Sequence, residues 1–587
     1  VLPKVLVKAK PEHPPCAYIR VWDVNPECRF VVPAGTDLGL QAFFTRTCYS
    51  DRVDLLVQKA FVLNQVQIDT TLYGRTKETH RAACNAFLKY DKEDVPIDLP
   101  LEIKSKTLGY LFELFSRWES SCPIIPDAEV EVPKDTHPGH EFRVRGYKDK
   151  GSVLLDPQGL EEVKAFYENP QFPTVWKGAP KAGELLSRTK LLNEDLRLFL
   201  IPGLKLHWTA VKLLYSQHKL FASQASDLQF PFRVGYTMQY GGFTRLIKEL
   251  GLFKFIVEGD CRKWDSSMLR ELFFSFIIPL RVFLYQETPG SFSKSQFRAY
   301  LEKIYQDVVH TLVLLPNGQL FWKMTGMPSG WFLTSDDNCL GHLVILISLY
   351  LMNGLTFADF KKDYFNLYAD DHIIGTNHEV ITPFETRQKH YARFGVTLKE
   401  SEDKVSSNPE GHRFLGLTAR MIDGQYRPVY DGTRAMISML KPGGSMDPAI
   451  RLIRVNALRV LAYYSPQYAL ITKIARSVYD HTSVSDRNVR YIADDEAQQA
   501  AYDWFARWPT DYQIECLWNG DESGGLVGNI KIDIFALING TQNETHSQTH
   551  SSSSQEDEGP QQSQNKQQTT QTASPTIKKK VRFASTD

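Results

Sequence analysis

The hydrophobic pattern of this chain changes period several times, and each change predicts an element. In the stretch Asn366-Leu367-Tyr368-Ala369-Asp370-Asp371-His372-Ile373-Ile374-Gly375, two adjacent carboxylates lie between apolar runs. Aromatic and β-branched residues suit strands, and Asp suits turns, so the stretch predicts a β-hairpin with the carboxylates at its tip. Residues 252–259 read as a buried strand that runs into Asp260-Cys261-Arg262-Lys263-Trp264-Asp265-Ser266-Ser267. Asp265 or Ser266 there is placed to cap a helix through Met268, Leu269 and Leu272, whereas Asp260 comes too early for that role. Residues 204–251 read as mainly helical, stopping at Gly251. Thr325-Gly326-Met327-Pro328-Ser329-Gly330 predicts a turn-rich loop, followed by Thr334, Asp337, Asn338 and a buried helix. The apolar run 343–352 within it is half a bilayer span and contains Ser348, which favours a buried helix over a membrane anchor.

Further along, residues 381–394 predict a helix stopped by Gly395. Arg413-Phe414-Leu415-Gly416-Leu417 predicts a short apolar strand. Residues 430–530 read as helical, with Asp447-Pro448 as cap and first turn of one helix. Ile450, Ile453, Ala457, Leu458 and Leu461 form its apolar stripe. Arg451, Arg454 and Arg459 lie off the stripe, on a solvated face or against a product duplex. Residues 1–170 give mixed signals, broken by prolines at 11–15 and 123–126. A basic cluster of Arg143, Arg145, Lys148 and Lys150 near a turn at Gly151 reads as a solvated face, with an RNA contact as the alternative. Beyond about residue 541, Ser, Gln, Thr and Asn dominate, which predicts a disordered tail. It ends in Lys578-Lys579-Lys580-Val581-Arg582-Phe583, a short docking or nucleic-acid motif or a functionless end.

Composition narrows the class. The 587 residues are 42% hydrophobic and 23% charged, as in ordinary globular proteins. Lys+Arg and Asp+Glu number 68 each, so only a local concentration of positive charge can serve nucleic acid. The eight cysteines are scattered without zinc spacing, which predicts reduced thiols in a cytosolic setting. No signal peptide opens the chain, and its first residue, Val1, predicts a product cut from a longer precursor. No Gly-x4-Gly-Lys-Ser/Thr loop supports a helicase or ATPase.

Asp-Asp occurs three times, at Asp336-Asp337, Asp370-Asp371 and Asp494-Asp495, so the dipeptide alone decides nothing. Order decides more. Residues 181–190 and 195–202 alternate basic and apolar positions, predicting a basic strand that offers Arg188, Lys190 and Arg197 to phosphates, or an exposed edge strand. Then come Asp260-x4-Asp265, Ser329-Gly330-x3-Thr334-x3-Asn338, Tyr368-x-Asp370-Asp371, a lysine, and a Phe-Leu-Gly segment. This series resembles the palm-type RNA-dependent RNA polymerases of positive-strand RNA viruses over residues 181–417, with forms similar to picornavirus and astrovirus enzymes.

The resemblance implies an α/β (α+β) right-hand fold with fingers, an antiparallel palm sheet flanked by helices, and a helical thumb. The implied divisions are an N-terminal extension and fingers (1–250), palm (251–275), an insertion (276–320), palm (321–425), thumb (426–540) and the tail (541–587). It implies RNA-templated RNA synthesis, with reverse transcription or a catalytically inactive RNA-binding scaffold as rivals. Asp260, Asp370 and Asp371 would bind two Mg²⁺ ions, with Mn²⁺ as substitute. Arg188, Lys190 and Arg197 would grip the triphosphate. Lys404, by spacing, would be the general acid in preference to Lys399. Asp265, Ser329, Thr334 and Asn338 would sense the ribose. The implied partners are template and product RNA, NTPs, and viral or host replication factors at the tail, without a transmembrane segment. The implied location is host cytoplasm, in replication complexes associated with membranes. Ala369 stands where the family usually has Gly, harmless at negative φ and strained at positive φ. The basic motif is also thin, with uncharged Leu191, Leu192 and Asn193 after Lys190.

Overall fold

The computed structural model describes residues 20–21, 49–77, 79–316, 320–487, 496–521, 523, 534 and 538. The expectations for the prolines at 11–15, for Asp494-Asp495 and for the tail fall outside these residues. The fold is a mixed α/β arrangement of several small sheets with helices between them.

Five elements position the site. They are strand β1 (Phe255–Gly259), helix α1 (Thr334–Met352), strands β2 (Tyr364–Tyr368) and β3 (Asp371–Thr376), and strand β4 (Lys404–Ser406). The strands form one antiparallel sheet in the order β2-β3-β1-β4. The predicted hairpin is present, with Tyr368 opposite Asp371 and only Ala369 and Asp370 between the strands. Beside it, His372 pairs with Gly259, which brings the end of β1 level with the hairpin tip. That register also explains Gly259, since a Cβ there would meet the His372 ring at 2.8 Å.

Helix α1 runs beneath this sheet, and every residue from Asp336 to Tyr350 is buried. A helix apolar on all sides needs neighbours on all sides. It finds them in β2 and in aromatic and aliphatic side chains from across the chain, including Phe273, Phe365 and Tyr391. Its two early acids are buried but matched. Asp337 pairs with the buried Arg281 at 2.5 Å and accepts from Tyr305 at 2.9 Å and Trp331 at 3.1 Å, while Asp336 meets His218 at 2.9 Å.

A five-stranded sheet places Val175–Pro180 between Leu312–Leu314 and Leu198–Ile201. The loop before α1 rests on it. A Cβ at Gly330 would lie 2.3 Å from the Leu200 carbonyl oxygen, so only glycine permits that approach.

Several sequence expectations are corrected. The basic stretch 181–190 is not one strand, because Leu185–Ser187 ends where the short helix Arg188–Leu192 begins. Neither Asp265 nor Ser266 caps a helix; both lie inside the short helix Trp264–Ser267, entered from Lys263 at φ +52°. Gly151 is helical, within Lys150–Leu155, and Lys150 is buried rather than solvated. The segment at Arg413 is a hairpin, Arg413–Phe414 against Leu417–Ile422, because Leu415 and Gly416 both take positive φ.

The C-terminal region is helical as expected, and Asp447 does cap Pro448–Leu461. Its arginines, however, face neither solvent nor an RNA groove. Arg454 and Arg459 are fully buried. Arg459 pairs with Asp511 at 2.6 Å and lies over the Trp508 ring. Arg451 and Arg454 reach the buried Asp54 at 2.6 and 3.7 Å. The other Asp54 oxygen caps Leu55–Leu63 through the N–H groups of Leu56 and Val57. One carboxylate therefore ties an N-terminal helix to a C-terminal one.

Removing it takes the carboxylate from Arg451 and from the buried Arg454. Asp54→Ala is expected to cost about 3–5 kcal/mol, read as a lower urea midpoint, with Asp54→Asn, which keeps the cap, costing less.

Candidate active site

Three backbone features converge at the tip of the sheet: the end of β1, the Ala369–Asp370 turn and the start of β3. They deliver Asp260, Asp370 and Asp371, each half-buried. Asp260 is ion-paired with Lys399, whose backbone N–H also donates to the Asp260 carbonyl at 2.9 Å. Asp371 accepts from the Leu415 N–H at 2.8 Å, so the Leu415-Gly416 turn has a role at the site.

The acids feel one another. Burial first, then the charges of Asp260 and Asp265, push the Asp370 carboxyl up to about 7. Burial pushes Asp371 up to about 7 as well; Asp260 and Glu258 add to the rise and the Leu415 N–H opposes it. Burial also raises Asp265, against the hydrogen bond from Asn338 and the charge of Arg197. Among the described residues, no three His, Cys, Asp or Glu side chains are drawn tightly enough around one point to cage a metal ion. The donor set still suits a hard divalent cation, being all carboxylate oxygen and short of positive charge. Lys399 supplies part of that charge.

Of the residues expected to sense a ribose, two meet. Asn338 Nδ2 donates to Asp265 Oδ1 at 2.9 Å, and Asn338 Oδ1 is buried without a hydrogen-bond partner. Ser329 and Thr334 instead use their hydroxyls on backbone carbonyls, those of Leu198 at 2.7 Å and of Pro328 and Trp331 at 3.0 and 2.8 Å. They shape the loop before α1.

The cations disperse. Arg188 lies over the Tyr49 ring, donates to its hydroxyl at 2.9 Å and pairs with Asp51 at 3.4 Å. Lys190 is exposed. Arg197 is exposed and pairs with Glu184 at 3.2 Å, and of the three it is the one whose charge reaches Asp265. Lys404 does not meet Asp260; its Nζ donates to the Glu410 carbonyl at 3.0 Å. Lys399 occupies that place. Spacing in the sequence favours Lys404 over Lys399, and spacing does not report which lysine meets Asp260. Spacing missed the Leu415 N–H, and also Cys339 and His342, whose polar atoms on α1 contact Ala369 in the turn.

Comparison with known proteins decides the family. The family described as "Viral RNA-dependent RNA polymerase" matches residues 74–462. The chain belongs to that family. The match takes in every candidate site residue named above. The non-structural polyprotein 1AB of Turkey astrovirus 1 is 26% identical over 359 residues, covering 58% of this chain and 21% of the polyprotein. The genome polyprotein of bean common mosaic necrosis virus (strain NL-3) is 27% identical over 306 residues, covering 51% of this chain and 9% of that one. That of watermelon mosaic virus II (isolate USA) is 26% identical over 290 residues, covering 49% and 27%. The chain thus spans about a fifth of the astrovirus polyprotein, and plant-virus polyproteins join the resemblance. Polymerases of this family use divalent metal, and no described helix is long and apolar enough to cross a membrane.

The raised carboxyls give a pH prediction for this chain. Without metal, the unfolded chain ionises these groups near about 4 and the folded protein near 7, so between those values the unfolded state sheds protons first. Stability present at low pH is therefore lost as pH rises through that window. In EDTA, the melting temperature is expected to fall between about pH 4 and about pH 7, and to fall less in an Asp370→Asn/Asp371→Asn protein.

The turn gives another prediction. Ala369 has φ +57°, the strained case for an L side chain. Ala369→Gly is expected to stabilise the fold by about 0.5–1 kcal/mol, measured by urea unfolding.

Proposed function

We propose that this chain carries out RNA-templated RNA synthesis by in-line nucleotidyl transfer at the Asp260–Asp370–Asp371 cluster. The observation that carries the reading is the convergence of these three acids at the hairpin tip, where burial and the charge of Asp260 push Asp370 and Asp371 up to about 7, so that the site calls for cations. Bound there, two Mg²⁺ ions, or Mn²⁺, would activate the attacking 3′-hydroxyl and neutralise the triphosphate and departing pyrophosphate.

The chain's own residues do the rest. Asp260 and Asp371 enter from neighbouring strands and Asp370 from the turn between β2 and β3, which sets their spacing. Arg197 reaches toward the nucleotide, with Arg188 and Lys190 on the short helix behind it as further triphosphate contacts. The Asn338–Asp265 pair offers a buried acceptor to the ribose 2′-hydroxyl, which favours NTPs over dNTPs and argues against a reverse transcriptase. Ser329 and Thr334 support that pair through the loop. Lys404 is the general acid by spacing and must leave the Glu410 carbonyl to act. Lys399 is the second candidate, favoured by its contact with Asp260.

We assign residues 251–275 and 321–425 to a palm, 1–250 to an extension and fingers, 276–320 to an insertion, 426–540 to a thumb and 541–587 to a tail. Template and product RNA are the partners, with viral or host replication factors at the tail. Host cytoplasm, at membrane-associated replication complexes, is the proposed location.

Asp370→Ala is expected to lower incorporation by at least about 10²–10³-fold, the loss typical of one transition-state electrostatic group. The assay is primer extension on an RNA template with Mg²⁺ and NTPs, with and without a supplied primer. Undiminished synthesis by the variant defeats the site, and a preference for dNTPs in competition defeats the choice of substrate.

A further inference from the structure

The turn that carries Asp370 is held from below by side chains that the reaction itself does not use. Helix α1 presents Cys339 and His342, three residues apart and so on one face. The Ala369 N–H donates to Cys339 Sγ at 3.3 Å, and His342 Nδ1 lies 2.9 Å from the Ala369 carbonyl oxygen. Both backbone groups of the residue before Asp370 are therefore gripped by one helix. On the far side of the imidazole, His342 Nε2 lies 2.8 Å from the hydroxyl of Tyr391, on the helix Phe384–Ala392.

The chemistry of these groups fixes the direction of each bond. His342 is fully buried, against the rings of Trp264 at 4.9 Å and His372 at 4.6 Å. Burial pushes its pKa well below the ordinary value, so the ring is neutral, with one donor and one acceptor nitrogen. A carbonyl only accepts, so Nδ1 carries the proton. Nε2 then accepts from the Tyr391 hydroxyl, which locks that tautomer. Cys339 stays a thiol because it is buried, and it passes its own weak S–H bond to the Leu367 carbonyl at 3.7 Å. A second imidazole, His372 Nδ1, lies 3.3 Å from the Asp370 carbonyl.

Positive φ at an L residue persists where its surroundings over-determine it. Here they do so at both backbone groups of Ala369. We propose that His342 is a positioning residue for the catalytic turn, with Cys339 and Tyr391 as its partners, holding Ala369 at its left-handed geometry so that the Asp370 carboxylate stays aimed at the reacting phosphate. This rests on the reading of Asp370 as a reaction-centre carboxylate. It also explains how the turn carries an alanine at φ +57°, where glycine is the unstrained choice: the grip of α1 replaces the freedom of glycine.

The test uses the full-length chain and two readouts: steady-state primer extension, and Mn²⁺ affinity by electron paramagnetic resonance without nucleotide. His342→Leu removes the donor. It is expected to lower kcat by about 10–100-fold, the range for losing a supporting hydrogen bond behind a metal ligand, and to weaken Mn²⁺ binding, with KM for NTP changed less than about twofold. His342→Asn keeps a donor near Nδ1 and is expected to restore most of both. Ala369→Gly is expected to raise the kcat of the His342→Leu protein by a larger factor than it changes that of the parent, because glycine takes the geometry unaided. A folded His342→Leu protein with parental kcat and Mn²⁺ affinity overturns the proposal. So does a loss confined to KM, or an equal effect of Ala369→Gly in both backgrounds. If His342→Leu does not fold, Tyr391→Phe, which frees the tautomer, is judged by the same criteria. The Asp370→Ala control separates the two ideas: an active control sinks the site, whereas an inactive control without coupling between residues 342 and 369 sinks only the clamp.

Discussion

Like charges repel, and this fold forces them together. Asp260, Asp370 and Asp371 come from separate elements, and the charge of Asp260 adds to the burial that raises Asp370 and Asp371. No local preference of the chain would gather them. Their proximity is imposed by strand register, His372 against Gly259 and Tyr368 against Asp371, and by a core that holds the register. Helix α1 is the main support. It is buried along most of its length and touches both acidic segments, through Asn338 at Asp265 and through Cys339 and His342 at Ala369.

The contrast with the other buried acids is instructive. Asp337 is matched by Arg281 and two further donors, and Asp54 by Arg451 and a helix N-terminus. Each acid there has its charge answered within the chain, and its work is to join elements distant in sequence. At the tip of the hairpin the balance is left incomplete, with Lys399 as the one lysine paired to the cluster among the described contacts. Asp336-Asp337 and Asp370-Asp371 are the same dipeptide put to opposite uses. One closes a core, and the other sits at a hairpin tip where burial and neighbouring charge push both carboxyls up to about 7.

Family membership and geometry bear on different questions. The match over residues 74–462 tells what kind of chemistry the chain belongs to. The geometry tells how this particular chain supports it, with an alanine at φ +57° and a lysine other than the one chosen by spacing beside Asp260. Both features are local departures that neighbouring side chains accommodate.

What the sequence by itself determined was mostly short-range. The hairpin at residues 364–376, the stop at Gly395, the cap at Asp447-Pro448 and the buried character of α1 were legible, because each depends on residues a few positions apart. The order of the acidic motifs was legible too, and with it the family. Tertiary structure alone decided the partners of the arginines, since Arg451 and Arg454 find Asp54 almost four hundred positions away. It also set Lys399, and not Lys404, against Asp260, and turned the expected strand at Leu415 into a turn whose N–H holds Asp371. The physical reason is that local pattern fixes the conformation of a segment, whereas the charge a side chain meets depends on which distant segment packs against it.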